Sequence, residues 1–166
     1  AGNNAFSGLI AFHRTQLQWM RNDQIERVPT ELVSGNYFDV LGIQATQGRT
    51  FLPEEDKTPG TQPVVVISEA FRQKHFSSED PVGKSLTLND VPLTIVGVAP
   101  REFNGMTLER PTEIWVPVLM HPQLAQSKFI ENRKDRFLRL LGRIKDGSNF
   151  VQTETEFDLL AQQVKE

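Results

Sequence analysis

Two Asn-Asp pairs, Asn22-Asp23 and Asn89-Asp90, each stand between runs in which apolar and polar residues alternate. Alternation gives a strand one buried and one wet face, and Asn and Asp tolerate the left-handed backbone that a two-residue hairpin loop demands. The first pair joins LIAFHRTQLQWM, with Leu17 and Trp19 in alternation, to IERVPTELV. The second joins KSLTL, with Leu86 and Leu88 in alternation, to VPLTIVGVAP, where Leu93, Ile95 and Gly97 share a face. Two antiparallel hairpins therefore constrain any fold open to this chain.

Between the hairpins the pattern changes. In VSGNYFDVLG, Ser34-Gly35-Asn36 stops the strand, Asn36 is placed to cap the following amides with Asp39 at the third helical position, and Gly42 supplies a left-handed stop. One helical turn carrying Tyr37, Phe38 and Leu41 is expected, then a strand over Ile43 to Thr46. Gly48-Arg49 and PEEDKTPGTQP (53–63) predict a polar surface loop. VVVI (64–67) is a short apolar run of the buried-strand type, and Ser68 is a fitting N-cap for a helix EAFRQKHF with Phe71 and His75 one turn apart.

Beyond the second hairpin, residues 101–112 lack a period and predict a connection. EIWVPV (113–118) is a further strand, and RKDRFLRLLGRIK (133–145) puts Leu138, Leu140, Gly142 and Ile144 on one strand face. Asp146-Gly147 turns the chain, and Ser148 caps a last helix whose Phe150, Phe157, Leu160, Ala161 and Val164 form one stripe near a 3.6 period. Strands and helices do not alternate throughout, so the expected class is α+β, built from mixed hairpins and strand-helix units in two subdomains that part within residues 100–112.

Composition excludes several function classes. A net charge of −3 with a pI near 5.7 gives no basic footprint for neutralising a phosphate backbone, which argues against nucleic acid. The absence of cysteine removes disulfides and thiolate metal sites. No apolar run approaches the roughly 18 residues that a spanning helix needs. The start AGNN, without an initiating Met or a signal pattern, suggests a fragment of a longer protein.

The candidate chemistry is sparse. GKS (83–85) matches the end of a phosphate-binding loop, but Ser78 stands where that loop has its first glycine, and the segment opens a strand instead of a helix. His13, His75 and His121 have no metal-ligand spacing. Glu54-Glu55-Asp56 and Glu79-Asp80 lie beside prolines in polar loops and predict solvated acids. Ser34, before Gly35, has no histidine placed by sequence to activate it. Trp19, Trp115, Tyr37 and the phenylalanines are distributed as core fillers. Arg133, Lys134, Arg136, Arg139 and Arg143 form a basic run that is either a solvated face or a surface for an anionic partner or lipid headgroup. No residue is assigned a catalytic, cofactor-binding or metal-binding role.

Five blocks in order, VSGNYFDVLGIQATQGRTFLPEED, VVVISEAFRQKHF, DPVGKSLTLNDVPLTIVGVAP, EIWVPV and LRLLGRIKDG, resemble the extracytoplasmic core domain of MacB-like and FtsX-like ABC-transporter permeases. The likeness runs from about residue 6 to the end of the chain. It implies a non-catalytic periplasmic or extracellular domain of an integral membrane protein, with a sabre-like strand-rich subdomain over 1–100, a connection over 101–112 and a porter-like α/β half-subdomain over 113–166. It further implies an ATPase as a separate cytoplasmic subunit or domain, a dimeric parent permease, a periplasmic adaptor or cargo, and no cofactor. The function expected is coupling of ATP-driven transmembrane motion to that adaptor or cargo. The alternative is a recognition module that binds a peptide, lipid or adaptor protein through an uncovered apolar face or the basic strand near 133–143. A small hydrolase resting on Ser34 is a third reading.

Overall fold

The computed structural model describes residues 6–107, 109–124, 138–148, 151 and 153–155. β1 (Phe6–Arg21) and β2 (Gln24–Val33) form the first hairpin, with Arg21 opposite Gln24 and Phe12 opposite Val33. Asn22 and Asp23 both have positive φ, 49° and 60°, the backbone of a type I′ turn. β5 (Ser85–Leu88) and β6 (Val91–Val98) form the second hairpin through Asn89 and Asp90, at φ 45° and 65°. Both predicted hairpins are present.

α1 (Tyr37–Leu41) ends at Gly42, whose φ of 72° is the expected left-handed stop. Its start differs from expectation, because the Asn36 side chain does not cap the helix. The Asn36 amide instead donates to the Leu9 carbonyl, and its oxygen accepts from the Ser34 hydroxyl, tying the helix entry back to β1. Ile43 to Thr46 are not a strand either. Only β3 (Gln47–Gly48) joins the ladder, opposite Val98 and Gly97 of β6. The approach is close enough that a Cβ on Gly97 would fall 2.0 Å from the Arg49 carbonyl oxygen.

The polar loop after β3 also holds more structure than its composition suggests. Pro53–Asp56 make a 3-10 turn in which Glu55 is buried and takes two hydrogen bonds from the Arg49 guanidinium and one from the Leu52 amide. Asp56 accepts from the Gly35 amide. Glu55 ties the loop to itself and Asp56 ties it to Gly35 ahead of α1, so the expectation of simply solvated acids fails at both.

β4 (Val64–Ile67) leads into α2 (Glu69–Phe76), capped as predicted by the Ser68 hydroxyl on the Phe71 amide. β7 (Ile114–Pro117) runs into a 3-10 turn and then α3 (His121–Leu124), and β8 (Arg139–Ile144) completes the strands. The basic residues Arg133, Lys134 and Arg136, and the helix stripe Phe150, Phe157, Leu160, Ala161 and Val164, lie outside the described residues.

The pairings β1–β2, β2–β7, β7–β4, β4–β6, β6–β5 and β5–β1 return to their starting strand, so six strands close a ring. Hydrogen bonding thus crosses the 101–112 connection, since β7 sits between β2 and β4. β8 pairs with the first half of β1, Phe6 to Phe12. Leu17, Val28, Val65, Leu88, Ile95 and Val116 fill the inside of the ring, and Phe71 of α2 and Leu124 of α3 belong to the same cluster. The opposite face of β1, β2, β4 and β7 carries Phe12, Val33, Val66 and Trp115, and α1 covers it with Tyr37 and Phe38.

Candidate functional site

Register places Glu31 of β2 opposite Arg14 of β1 on one side and Trp115 of β7 on the other. All three side chains lie on the face that α1 covers, and Glu31 is fully buried. A buried carboxylate persists only where its oxygens are satisfied. Here Oε2 accepts from the Tyr37 hydroxyl at 2.8 Å and the Trp115 indole at 3.1 Å, and Oε1 accepts from the Met106 amide at 3.1 Å. The Arg14 Nε stands 3.9 Å from Oε1. Burial, reinforced by the Glu31 charge, pushes the Tyr37 hydroxyl far above the usual phenol range, so Tyr37 stays a proton donor. One side chain thereby ties together β1, β2, α1, β7 and the 101–112 connection.

That connection fits tightly around the carboxylate. Gly105 has φ of 85°, and a Cβ there would fall 2.4 Å from the Thr112 hydroxyl and 2.8 Å from Glu31 Oε1. Phe103 stacks on Trp115 with ring centroids 5.4 Å apart. Arg14 reaches the far end of the connection, its Nη2 donating to the Arg110 carbonyl at 2.6 Å, and the Glu113 amide donates to the Pro29 carbonyl. A cavity of about 1120 Å³ opens between this wall and β1, where His13, Arg14, Arg110, Glu109, Glu113 and Arg139 face it. Burial raises the Glu113 carboxyl above the usual carboxylate range.

A second cavity, about 580 Å³, lies between the tip of the first hairpin and α2. His75 is packed there between Trp19 and Phe71, 4.5 Å from each ring centroid, and Arg21 stands over Trp19 and within 3.2 Å of His75 Nδ1. Burial lowers the affinity of His75 for a proton, and the neighbouring Lys74 charge adds to that.

The residues singled out from the sequence do not converge. The Ser34 hydroxyl accepts from the Ala11 amide and donates to Asn36, so it is committed to the turn. Gly83 turns the chain at φ 86°, Lys84 pairs with Glu79, and Ser85 opens β5. His75 stands apart from the other two histidines, whereas the His13 charge adds to the burial that depresses the proton affinity of His121. Among the described residues, no group of three or more His, Asp or Glu is placed to hold a metal ion. Arg139 and Arg143 of the basic run sit on one face of β8.

Glu31 was missed by sequence reasoning, though a signal existed. Counting outward from the Asn22-Asp23 turn pairs position 14 with position 31, so the hairpin alone sets an arginine against a glutamate. The three buried donors come from residues 37, 106 and 115, which no local pattern links to β2.

The family model described as MacB-like periplasmic core domain matches residues 6–159. The chain belongs to that family. The macrolide export ATP-binding/permease protein MacB of Neisseria gonorrhoeae strain FA 1090 is 32% identical over 97 residues, which cover 57% of this chain and 15% of that protein. MacB of Escherichia coli K12 is 29% identical over 86 residues, 51% of this chain and 13% of that protein. The chain therefore matches only a small part of these relatives' length. Among solved structures, the periplasmic region of MacB from Actinobacillus actinomycetemcomitans superposes with a TM-score of 0.75 at 17% identity, covering 99% of this chain and 70% of that one. The extracellular domain of YknZ from Gram-positive bacteria gives 0.69 at 17% identity, covering 93% and 72%.

The MacB-like periplasmic core domain is thus an α+β part of an ABC-transporter permease, located on the periplasmic side of its membrane, as the five sequence blocks implied. The curated relatives are named as ATP-binding/permease proteins, and the solved structures are a periplasmic region and an extracellular domain of such transporters. Among the described residues, no helix is long and apolar enough to cross a membrane.

Proposed function

We propose that this MacB-like periplasmic core domain couples motion of the transmembrane helices, driven by ATP hydrolysis at a cytoplasmic ATPase subunit or domain, to a periplasmic adaptor or cargo in a dimeric permease. The supporting observation is the closed ring with its connection pinned through Glu31. A ring of six hydrogen-bonded strands moves as a body, because shearing any strand breaks ladders on both of its edges. The Glu31 carboxylate makes the 101–112 connection part of that body. Relatives named for macrolide export are the kind of parent this reading expects.

The test is Glu31→Gln in the full-length parent. The amide cannot accept at both oxygen positions, so the connection is released while the ring keeps its strands. ATP turnover is expected to continue while export falls. Export at the parental level, in a variant whose Met106 amide has lost its hydrogen-exchange protection, would refute the coupling role. The cavity beside Arg14 favours a second reading, in which the domain recognises a partner directly.

A further inference from the structure

The connection holds the chain's one Asn-Gly pair, Asn104-Gly105, and sets it beside the Glu31 carboxylate. An asparagine followed by glycine is open to attack on its own side-chain amide by the next backbone nitrogen, because glycine has no Cβ to shield that nitrogen. Ring closure requires the asparagine Cγ to swing onto the nitrogen, so a tethered side chain or an engaged amide prevents it. Neither restraint operates at 104–105. Among the described residues, the Asn104 side chain and the Gly105 amide make no hydrogen bond. Both residues are only half-buried, so water reaches them.

Other asparagines are held differently. Asn36 donates to the Leu9 carbonyl and accepts from the Ser34 hydroxyl, and Asn89 donates to the Leu124 carbonyl and accepts from the Gln18 amide. Their following residues, Tyr37 and Asp90, also carry a Cβ. At 105 the fold permits no such protection. Gly105 has φ of 85°, and a Cβ would fall 2.4 Å from the Thr112 hydroxyl and 2.8 Å from Glu31 Oε1. The packing that pins the connection therefore fixes the reactive neighbour next to Asn104.

We propose that Asn104 is a site of spontaneous deamidation whose products release the connection from Glu31. The Gly105 nitrogen gives its proton to hydroxide and bonds to Asn104 Cγ, the Cγ–Nδ2 bond breaks, and ammonia leaves a succinimide ring. Water then adds to one of the ring carbonyls. Breaking the Cγ–N bond yields aspartate, and breaking the bond from the former main-chain carbonyl to nitrogen yields isoaspartate. The net exchange is amide and water for acid and ammonia, with nothing oxidised or reduced. In isoaspartate the main chain runs through Cβ and Cγ, one atom longer, and the carbonyl that accepts from the Thr112 amide becomes a free carboxylate. That puts slack between the Thr112 bond and the Met106 amide on Glu31, and either product sets a second carboxylate close to a buried one. The chemistry stands apart from the coupling reading, and only a consequence for export rests on it.

The test incubates the 166-residue chain at neutral and at mildly alkaline pH, folded and in urea. Tandem mass spectrometry locates the amide-to-acid mass shift, and isoaspartate methyltransferase labelling separates the two products. In the folded chain Asn104 converts about tenfold or more faster than Asn36 and Asn89, and its rate rises with pH. Asn104→Gln, which would have to close a larger ring, stays unmodified over the same period. The modified chain, separated by its added charge on anion exchange, exchanges the Met106 amide about tenfold faster than fresh chain. Conversion at Asn104 more than about a hundredfold slower in the folded chain than in urea overturns the proposal, since the fold then shields the pair. Conversion with unchanged Met106 exchange overturns the release of the connection. Either failure leaves the Glu31→Gln test of coupling untouched.

Discussion

Glu31 shows how a single side chain can hold several distant segments together. Replacing it with Ala leaves the Tyr37 hydroxyl, the Trp115 indole and the Met106 amide without an acceptor and Arg14 without its carboxylate. Each orphaned buried donor costs on the order of 1–3 kcal/mol, so Glu31→Ala should destabilise the fold by about 3 kcal/mol or more, read as a lower urea midpoint at unchanged slope. Two half-buried groups make stability depend on pH in opposite directions. Burial holds the His75 imidazole below the ordinary histidine value, so the unfolded chain binds that proton more readily. Its stabilising contribution is complete above the unfolded value and is lost as pH falls through the folded one. Burial holds Asp56 above the ordinary aspartate value, partly offset by the Gly35 amide. The folded state therefore keeps the Asp56 proton longer, and stability falls as pH rises from the ordinary aspartate value through the folded one. Proton-detected titration should find His75 below the usual value of about 6.5, and Asp56→Asn should remove the fall in stability that accompanies raising the pH from the ordinary aspartate value. The Arg14–Glu31 pair was available to anyone counting register from the hairpin. The burial of Glu55 was not, because its partner Arg49 lies six residues away in a loop with no period.

The elements that the sequence made legible are those whose causes are local. Both hairpins follow from alternation plus an Asn-Asp turn, and α2 follows from Ser68 ahead of an apolar run. Each turn holds two non-glycine residues at positive φ, a strain of roughly 1 kcal/mol per residue. Asp23→Gly should accordingly raise the melting temperature, and Asp23→Val should lower it by more, since a branched side chain fits that backbone worst. Ile43 to Thr46 misled because Ile43 and Ala45 alternate like a strand, although only Thr46, through its amide and hydroxyl, reaches Val98 before the short β3 pairing. What admits β3 is the bare Gly97 of another strand, a fact stored some fifty residues away. Gly97→Ala should therefore displace the 47–49 segment, seen as loss of exchange protection at the Arg49 amide, which bonds Val96 in the native chain.

At the scale of the whole molecule, the five sequence blocks led to the right family, while the ring they build was invisible in any one of them. Its closure depends on β7 entering between β2 and β4, and on β1 reaching β5 with only Trp19 and Met20. A closed ring predicts one cooperative unfolding transition, with the amides of β7 and β2 losing protection together. Two separate transitions would mean that 1–100 and 113–166 fold independently. The order of strands also bears on biosynthesis. β1 leaves the ribosome first, yet the strand that covers its opening half, β8, is translated last of the eight. At ordinary elongation rates that half-edge stays bare for on the order of ten seconds, long enough for a chaperone or a neighbouring nascent chain to find it. The newborn polypeptide is most exposed to mispairing at a strand that in the finished form pairs with three others.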